Sequence, residues 1–248
     1  MDPERSVYKQ TRPNYRKAFI ALECDPDIFT ELAHNLGADG VEFHDIMSFD
    51  PDMLLFIPRP VLAFILVFPP SVEYDEGVTE REKAVPVYHG KGEDEPTIWF
   101  AQTIQNACGL YAILHALSNG IDRSRIRRGS PLDDFLTTAI PLAPYERALA
   151  LEASADIEHA HTSAAKKGIS RVPDAKDDIK HHYICFVKSP KDGHVYEMNG
   201  TSNGPMCHAS TVAESDDLLE GGTLDLIKYY IKQAGGDVGF SLLALTSS

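Results

Sequence analysis

The stretch QTIQNACGLYAILHAL, residues 102–117, sets a cysteine where a helix is expected to begin and a glutamine six residues ahead of it. Asn106 is a good N-cap type, Ala107–Leu117 is an unbroken run of helix formers with an apolar face, and Asn119-Gly120 supplies a stop. Cys108 then falls in the first helical turn, where the helix dipole favours thiolate over thiol and lowers the pKa from its usual value of about 8.5. Gln102, returning from the preceding loop, can bring its side-chain amide beside the Cys108 backbone N–H. Two donors aimed at one point form an oxyanion hole. The chemistry implied is acyl transfer by a thiol nucleophile.

A lone cysteine among apolar residues is more often a small buried hydrophobe, so the reading needs a base and a group to orient it. Both are on offer far along the chain, where HYICFVK and HVYEMN flank Asp192-Gly193 and read as a β-hairpin. His181 and His182 open one strand and Asn199 ends the other. Each has an ordinary alternative, a surface histidine or a turn asparagine. If the hairpin loop holds an even number of residues, for example Pro190 to Gly193, His182 and Asn199 lie diagonally on one face, roughly 7–8 Å apart at Cα. An odd loop puts His181 there instead. Periodicity leaves the two histidines open.

The surrounding elements follow from spacing. DPDIFTELAHNL has helical period, with Pro26 in the first turn and Gly37 as a stop. PDMLLF predicts a brief helix ended by Pro58, and VLAFILVF a buried strand. Residues 71–96, polar and rich in Glu, Gly and Pro, are expected to form a loop or a poorly ordered helix. From Pro144 the text PYERALALEASADIEHA begins as helix and then loses its apolar period in HTSAAKKGISRVPDAKDD, which predicts a long mobile loop or lid. A last helix, SDDLLE through DLIKYYIKQAGG, and a last strand, GFSLLALT, close the chain.

Composition bounds the function. With 248 residues, 43% of them hydrophobic, one domain with a sizeable core is expected. The 37 acidic against 23 basic residues give a net charge of −14, which argues against nucleic acid and for a basic or near-neutral protein partner. The N-terminus lacks the apolar core of a signal peptide, so export is not indicated. The most apolar segment is cut by Pro58, Arg59 and Pro60 and leaves eight residues, against the roughly 20 that span a bilayer, so no membrane is expected. Cys24, Cys108, Cys185 and Cys207 are scattered with no CxxC spacing, which supports neither a metal site nor a disulfide framework and suits a cytosolic or nuclear protein. Asn199-Gly200-Thr201 matches a glycosylation acceptor and, without export, is read as accidental.

QTIQNACGLYAILHAL closely resembles the active-site segment of the ubiquitin carboxyl-terminal hydrolases, the cysteine deubiquitinases of the UCH family. FIALECDPDIFTELAHNLG resembles that family's N-terminal strand and first helix, DPDMLLFIPRPVLAFILVFP its Pro-Arg-Pro segment and buried strand, and HYICFVKSPKDGHVYEMNG its histidine strand and hairpin. The resemblance implies an α/β, papain-like core, an antiparallel sheet flanked by helices with a knotted backbone. It implies residues 1–15 as an extension and 16–248 as a single catalytic domain, with a crossover loop at about 153–178 that limits leaving groups. By the same resemblance Cys108 is the nucleophile, Gln102 the oxyanion donor, His182 the general base and Asn199 its partner. The family's usual residue at that last position is Asp. Glu23, Asp45 and Asp50 match acidic positions near the ubiquitin-binding face, and each reads equally well as a solvated carboxylate. The implied partner is ubiquitin or a close ubiquitin-like protein, the leaving groups small adducts or peptides, with no cofactor or metal, in a cytoplasmic and also nuclear monomer. A binding module with weak turnover, because Asn replaces Asp, is the alternative.

Overall fold

VLAFILVF is apolar at every position because it is buried on both faces. In the computed structural model, which describes residues 15–70, 72–168, 181–212, 215, 217–233 and 239–247, it forms strand β3, Val61–Phe68. Ala63, Ile65 and Val67 point into one core and Phe64, Leu66 and Phe68 into another, as the two-residue period of a strand requires. β1 (Lys17–Ala18) pairs in parallel with β4 (Ile104–Gln105). The remaining strands are β2 (Val41–Asp45), β5 (His182–Lys188), β6 (His194–Met198), β7 (Met206–Val212) and β8 (Ser241–Ser247). With β3 they make one sheet in the order β2-β8-β3-β5-β6-β7, antiparallel at every pairing.

The helices are α1 (Pro26–Leu36), α2 (Pro51–Leu54), α3 (Val72–Ala84), α4 (Cys108–Gly120), α5 (Pro131–Ala139), α6 (Pro144–Ala153), α7 (Ala155–Ala165) and α8 (Thr223–Gln233). α4 lies in the larger core, buried from Gly109 to Leu117, with α1, α5, α6 and α7 around it. α8 covers the other face through Ile227, Tyr230 and Ile231. α1 shows the local logic plainly. Asp25 accepts the Asp27 and Ile28 N–H groups, Pro26 starts the helix, and Gly37 ends it at φ 105°.

Two expectations need correction. The crossover loop placed from about 153 is helical as far as Ala165, since Ile157, Ala160, His161, Ala164 and Ala165 form a buried stripe too alanine-rich to read as an apolar period. Residues 169–180 of that loop, and nearly all of the expected 1–15 extension, lie outside the described residues. α3 takes up half of the 71–96 stretch, in line with the helical alternative of the expected loop or poorly ordered helix. The last helix begins only at Thr223, and residues 217–222 are turn. Among the described residues no helix is long and apolar enough to cross a membrane.

Candidate active site

The hairpin register settles which histidine faces Asn199. Cys185 pairs with Met198 and Lys188 with Val195, and Ser189 N–H donates to the His194 carbonyl at 2.9 Å, leaving the four residues 190–193 as the loop. The count is even, so His182 and Asn199 share a face. The His182 Nε2 atom stands 3.1 Å from Asn199 Oδ1. His181 is exposed, and it is its backbone carbonyl that turns inward, accepting from the Cys108 thiol at 3.9 Å.

The same contacts fix the tautomer. Asn199 Oδ1 also accepts Thr201 N–H at 3.0 Å and Thr201 Oγ1–H at 2.8 Å. A backbone N–H only donates, so this atom is the amide oxygen and not the nitrogen, and His182 must donate to it from Nε2. In the neutral ring the lone pair is then on Nδ1. The Phe68 ring meets the imidazole edge-on, with centroids 6.0 Å apart, and limits its rotation. Asn199 itself is buried and held through its carbonyl by the Trp99 indole N–H at 3.0 Å.

Cys108 is the first residue of α4, but the cap is not the expected one. Ala107 occupies the N-cap with no side-chain hydrogen bond, and Asn106 adopts the left-handed conformation at φ 59°, which an N-cap residue does not. The expected lowering of the thiol pKa is also reversed. Burial pushes Cys108 up to about 11, and the N–H groups of Gly109, Cys108 and Tyr183 around the sulfur only partly offset it. Burial thus favours the thiol form, and a base that takes its proton turns it into the nucleophile.

Gln102 is placed by its backbone. Its N–H donates to the Gly200 carbonyl at 2.7 Å, and its side-chain Nε2 donates to Ile104 O at 3.2 Å. Glycine at 200 eases this approach, because a Cβ there would stand 3.0 Å from Gln102 Cβ, tighter than ordinary contact. Of the acidic candidates, Glu23 lies against Gly168, where a Cβ would stand 2.5 Å from its Oε2, and its charge adds to burial and to Cys24 and Cys108 in raising the Tyr183 hydroxyl. Asp45 sits beside Cys24 and Asp25, and its carboxyl is raised by burial and by the Asp25 charge. Asp50 is the N-cap of α2, accepting Asp52 N–H at 3.0 Å, so it has a structural task of its own.

Sequence reasoning missed Thr201, Trp99 and Phe68 as partners of the pair. Thr201 was visible only inside the Asn-Gly-Thr match. It also missed large apolar side chains standing in solvent on the connection from β2 to β3: Met47 is 83% exposed, Leu55 79% and Phe56 80%. Among the described residues no three His, Cys, Asp or Glu side chains come together to hold a metal ion.

The sequence model of the family described as ubiquitin carboxyl-terminal hydrolase, family 1, matches residues 19–232. Ubiquitin carboxyl-terminal hydrolase 3 of Arabidopsis thaliana is 31% identical over 232 residues, covering 93% of this chain and 94% of that one. Ubiquitin carboxyl-terminal hydrolase isozyme L1 of Monodelphis domestica is 30% identical over 226 residues, covering 90% and 96%. In structure, the UCH37 catalytic domain of Trichinella spiralis bound to ubiquitin vinyl methyl ester superposes with a TM-score of 0.70 at 26% identity, covering 94% of this chain and 98% of that one.

Proposed function

Since the chain belongs to family 1 of the ubiquitin carboxyl-terminal hydrolases and is a thiol-dependent ubiquitinyl hydrolase, we propose that Cys108, His182, Asn199 and Gln102 are its catalytic residues. In this reading His182 Nδ1 takes the Cys108 proton, and the thiolate adds to the carbonyl of ubiquitin's C-terminal glycine. The oxyanion is held by the Gln102 amide and the Cys108 N–H. His182 then returns the proton to the leaving amine, the C–N bond breaks, and water, activated by the same ring, hydrolyses the thioester. The observation that carries the assignment is the Thr201-fixed amide of Asn199, which leaves the Nδ1 lone pair as the ring's proton acceptor.

Three further features support this reading. The net charge of −14 suits the basic tail of ubiquitin, and Glu23 and Asp45 offer carboxylates toward it. Met47, Leu55 and Phe56 supply apolar area that ubiquitin would cover. Gly168 stands against Glu23 and the His181 carbonyl against Cys108, and small adducts and unfolded peptides are the leaving groups that the family resemblance implies. The enzyme acts as a monomer on ubiquitin or a close relative, without nucleic acid or membrane. All four cysteines are free, as suits cytoplasm or nucleus. The uncharged Asn199 gives a second reading, a ubiquitin-holding protein that turns over slowly. Cys108→Ala separates chemistry from holding: hydrolysis of a ubiquitin C-terminal amide should vanish while ubiquitin binding stays. Hydrolysis surviving in that variant would overturn the assignment.

A further inference from the structure

Tyr111, His115 and Asn119 stand four residues apart on α4 and share one face of the helix. All three are buried or nearly so, and each spends its polar atom on the same neighbouring segment. Tyr111 OH accepts Thr103 N–H at 3.1 Å, and His115 Nε2 accepts Phe100 N–H at 3.0 Å. Asn119 Oδ1 accepts Ile98 N–H at 2.7 Å, and its Nδ2 donates to Ile98 O at 3.0 Å and to His115 O at 2.9 Å. Residues 98–103 therefore run antiparallel to the helix, held by side chains where a sheet would use a neighbouring strand. Between the His115 and Asn119 rungs the spacing fits, since four residues of helix rise about 6 Å and the two residues from Phe100 to Ile98 span about 6.6 Å when extended; between the Tyr111 and His115 rungs the chain uses three residues, Phe100 to Thr103, for the same rise.

The clamps bracket Gln102. Thr103 is fixed just after it and Phe100 two residues before it, while its own N–H is held by Gly200 O at 2.7 Å. The His115 ring also stacks on Phe100, with centroids 5.5 Å apart and planes 15° apart. Since His115 accepts at Nε2 and burial depresses its pKa to about 3, it stays neutral, and this rung does not open as pH changes near neutrality. Trp99, pinned between two rungs, passes the constraint to Asn199 through its indole N–H.

We propose that Tyr111, His115 and Asn119 are positioning residues, a ladder through which the helix that carries the nucleophile also sets the oxyanion donor Gln102 against it. The inference rests on the catalytic roles given to Cys108 and Gln102 above. A buried polar group left without its partner costs stability whatever its purpose, so the test must separate placement of Gln102 from general support. Tyr111→Phe removes one oxygen and keeps the packing. It should lower kcat on a ubiquitin C-terminal amide about tenfold, with KM within about twofold, as expected when a transition-state donor is misplaced. In a Gln102→Ala background the same change should lower kcat no further. His115→Gln, which keeps an acceptor, should retain more kcat than His115→Leu at matched thermal stability. Equal losses from Tyr111→Phe in both backgrounds, or no loss in either, would overturn the ladder while leaving the role of Gln102 intact. A Gln102→Ala protein with undiminished kcat would instead overturn the oxyanion assignment itself, and the ladder with it.

Discussion

The two ends of α4 are held in opposite ways. At the C-terminal end Asn119 makes three hydrogen bonds, two tying the helix to Ile98 and one back to the helix's own His115 carbonyl. At the N-terminal end Ala107 provides no cap, Asn106 is in the left-handed region, and the Cys108 sulfur lies among the N–H groups of Cys108, Gly109 and Tyr183. A side-chain cap would consume first-turn donors that an oxyanion needs. The helix thus keeps its reactive end under-satisfied and over-determines the opposite one. Stability and reactivity are separated by the length of one helix.

That contrast can be broken at either end. The largest effect is expected at the open end. His182→Ala should lower kcat by about 10³-fold or more, the scale of a lost general base, with little change in stability. Because burial holds the Cys108 thiol up at about 11, alkylation by iodoacetamide should accelerate as pH rises toward 11, and at neutral pH it should be slower in this variant than in the parent, which keeps a ring to take the proton. Next comes the closed end. Asn119→Ala leaves both backbone groups of Ile98 without their partner, and urea titration should show a loss of about 2–4 kcal/mol.

A smaller effect concerns pH. The folded-state pKa values of His115 and His161 are depressed by burial to about 3 and about 4. Below the unfolded value of about 6.5 the unfolded chain binds protons that the folded one refuses, so stability present above that pH should fall on acidification, by up to about 1.4 kcal/mol per pH unit for each histidine. His115→Gln should make the slope shallower. The smallest effect is at Asn199. Three donors already converge on its Oδ1, so a carboxylate would fit that pocket and stabilise the imidazolium. Asn199→Asp should raise kcat a few-fold, on the order of 1 kcal/mol or less. Fresh protein checked by mass is required, since deamidation before Gly200 creates the same residue.

How much of this was legible depended on whether the cause was local. The register of β5 and β6 follows from loop length, so the placing of His182 diagonal to Asn199 on one face could be reached by counting once the loop was known to be even. β3 was legible because burial on both faces writes a continuous apolar run. The second half of α7 was not, since past Ala160 its buried residues are His161, Ala164 and Ala165, which carry little apolar signal. The thiol pKa was read in the wrong direction for a related reason: the helix terminus is visible in sequence, while the burial that outweighs it is tertiary. The ladder on α4 was written in plain view as Tyr, His and Asn at a four-residue interval, yet only the fold shows that their common partner is the segment bearing Gln102.

The central claim is that Cys108, served by His182, attacks the C-terminal carbonyl of ubiquitin. Reaction with ubiquitin vinyl methyl ester, followed by intact mass and peptide mapping, tests it most directly. The account predicts a single adduct on the peptide containing Cys108, slowed in His182→Ala and absent in Cys108→Ala. No adduct in the parent, or label on Cys24, on buried Cys185 or on exposed Cys207, would contradict it.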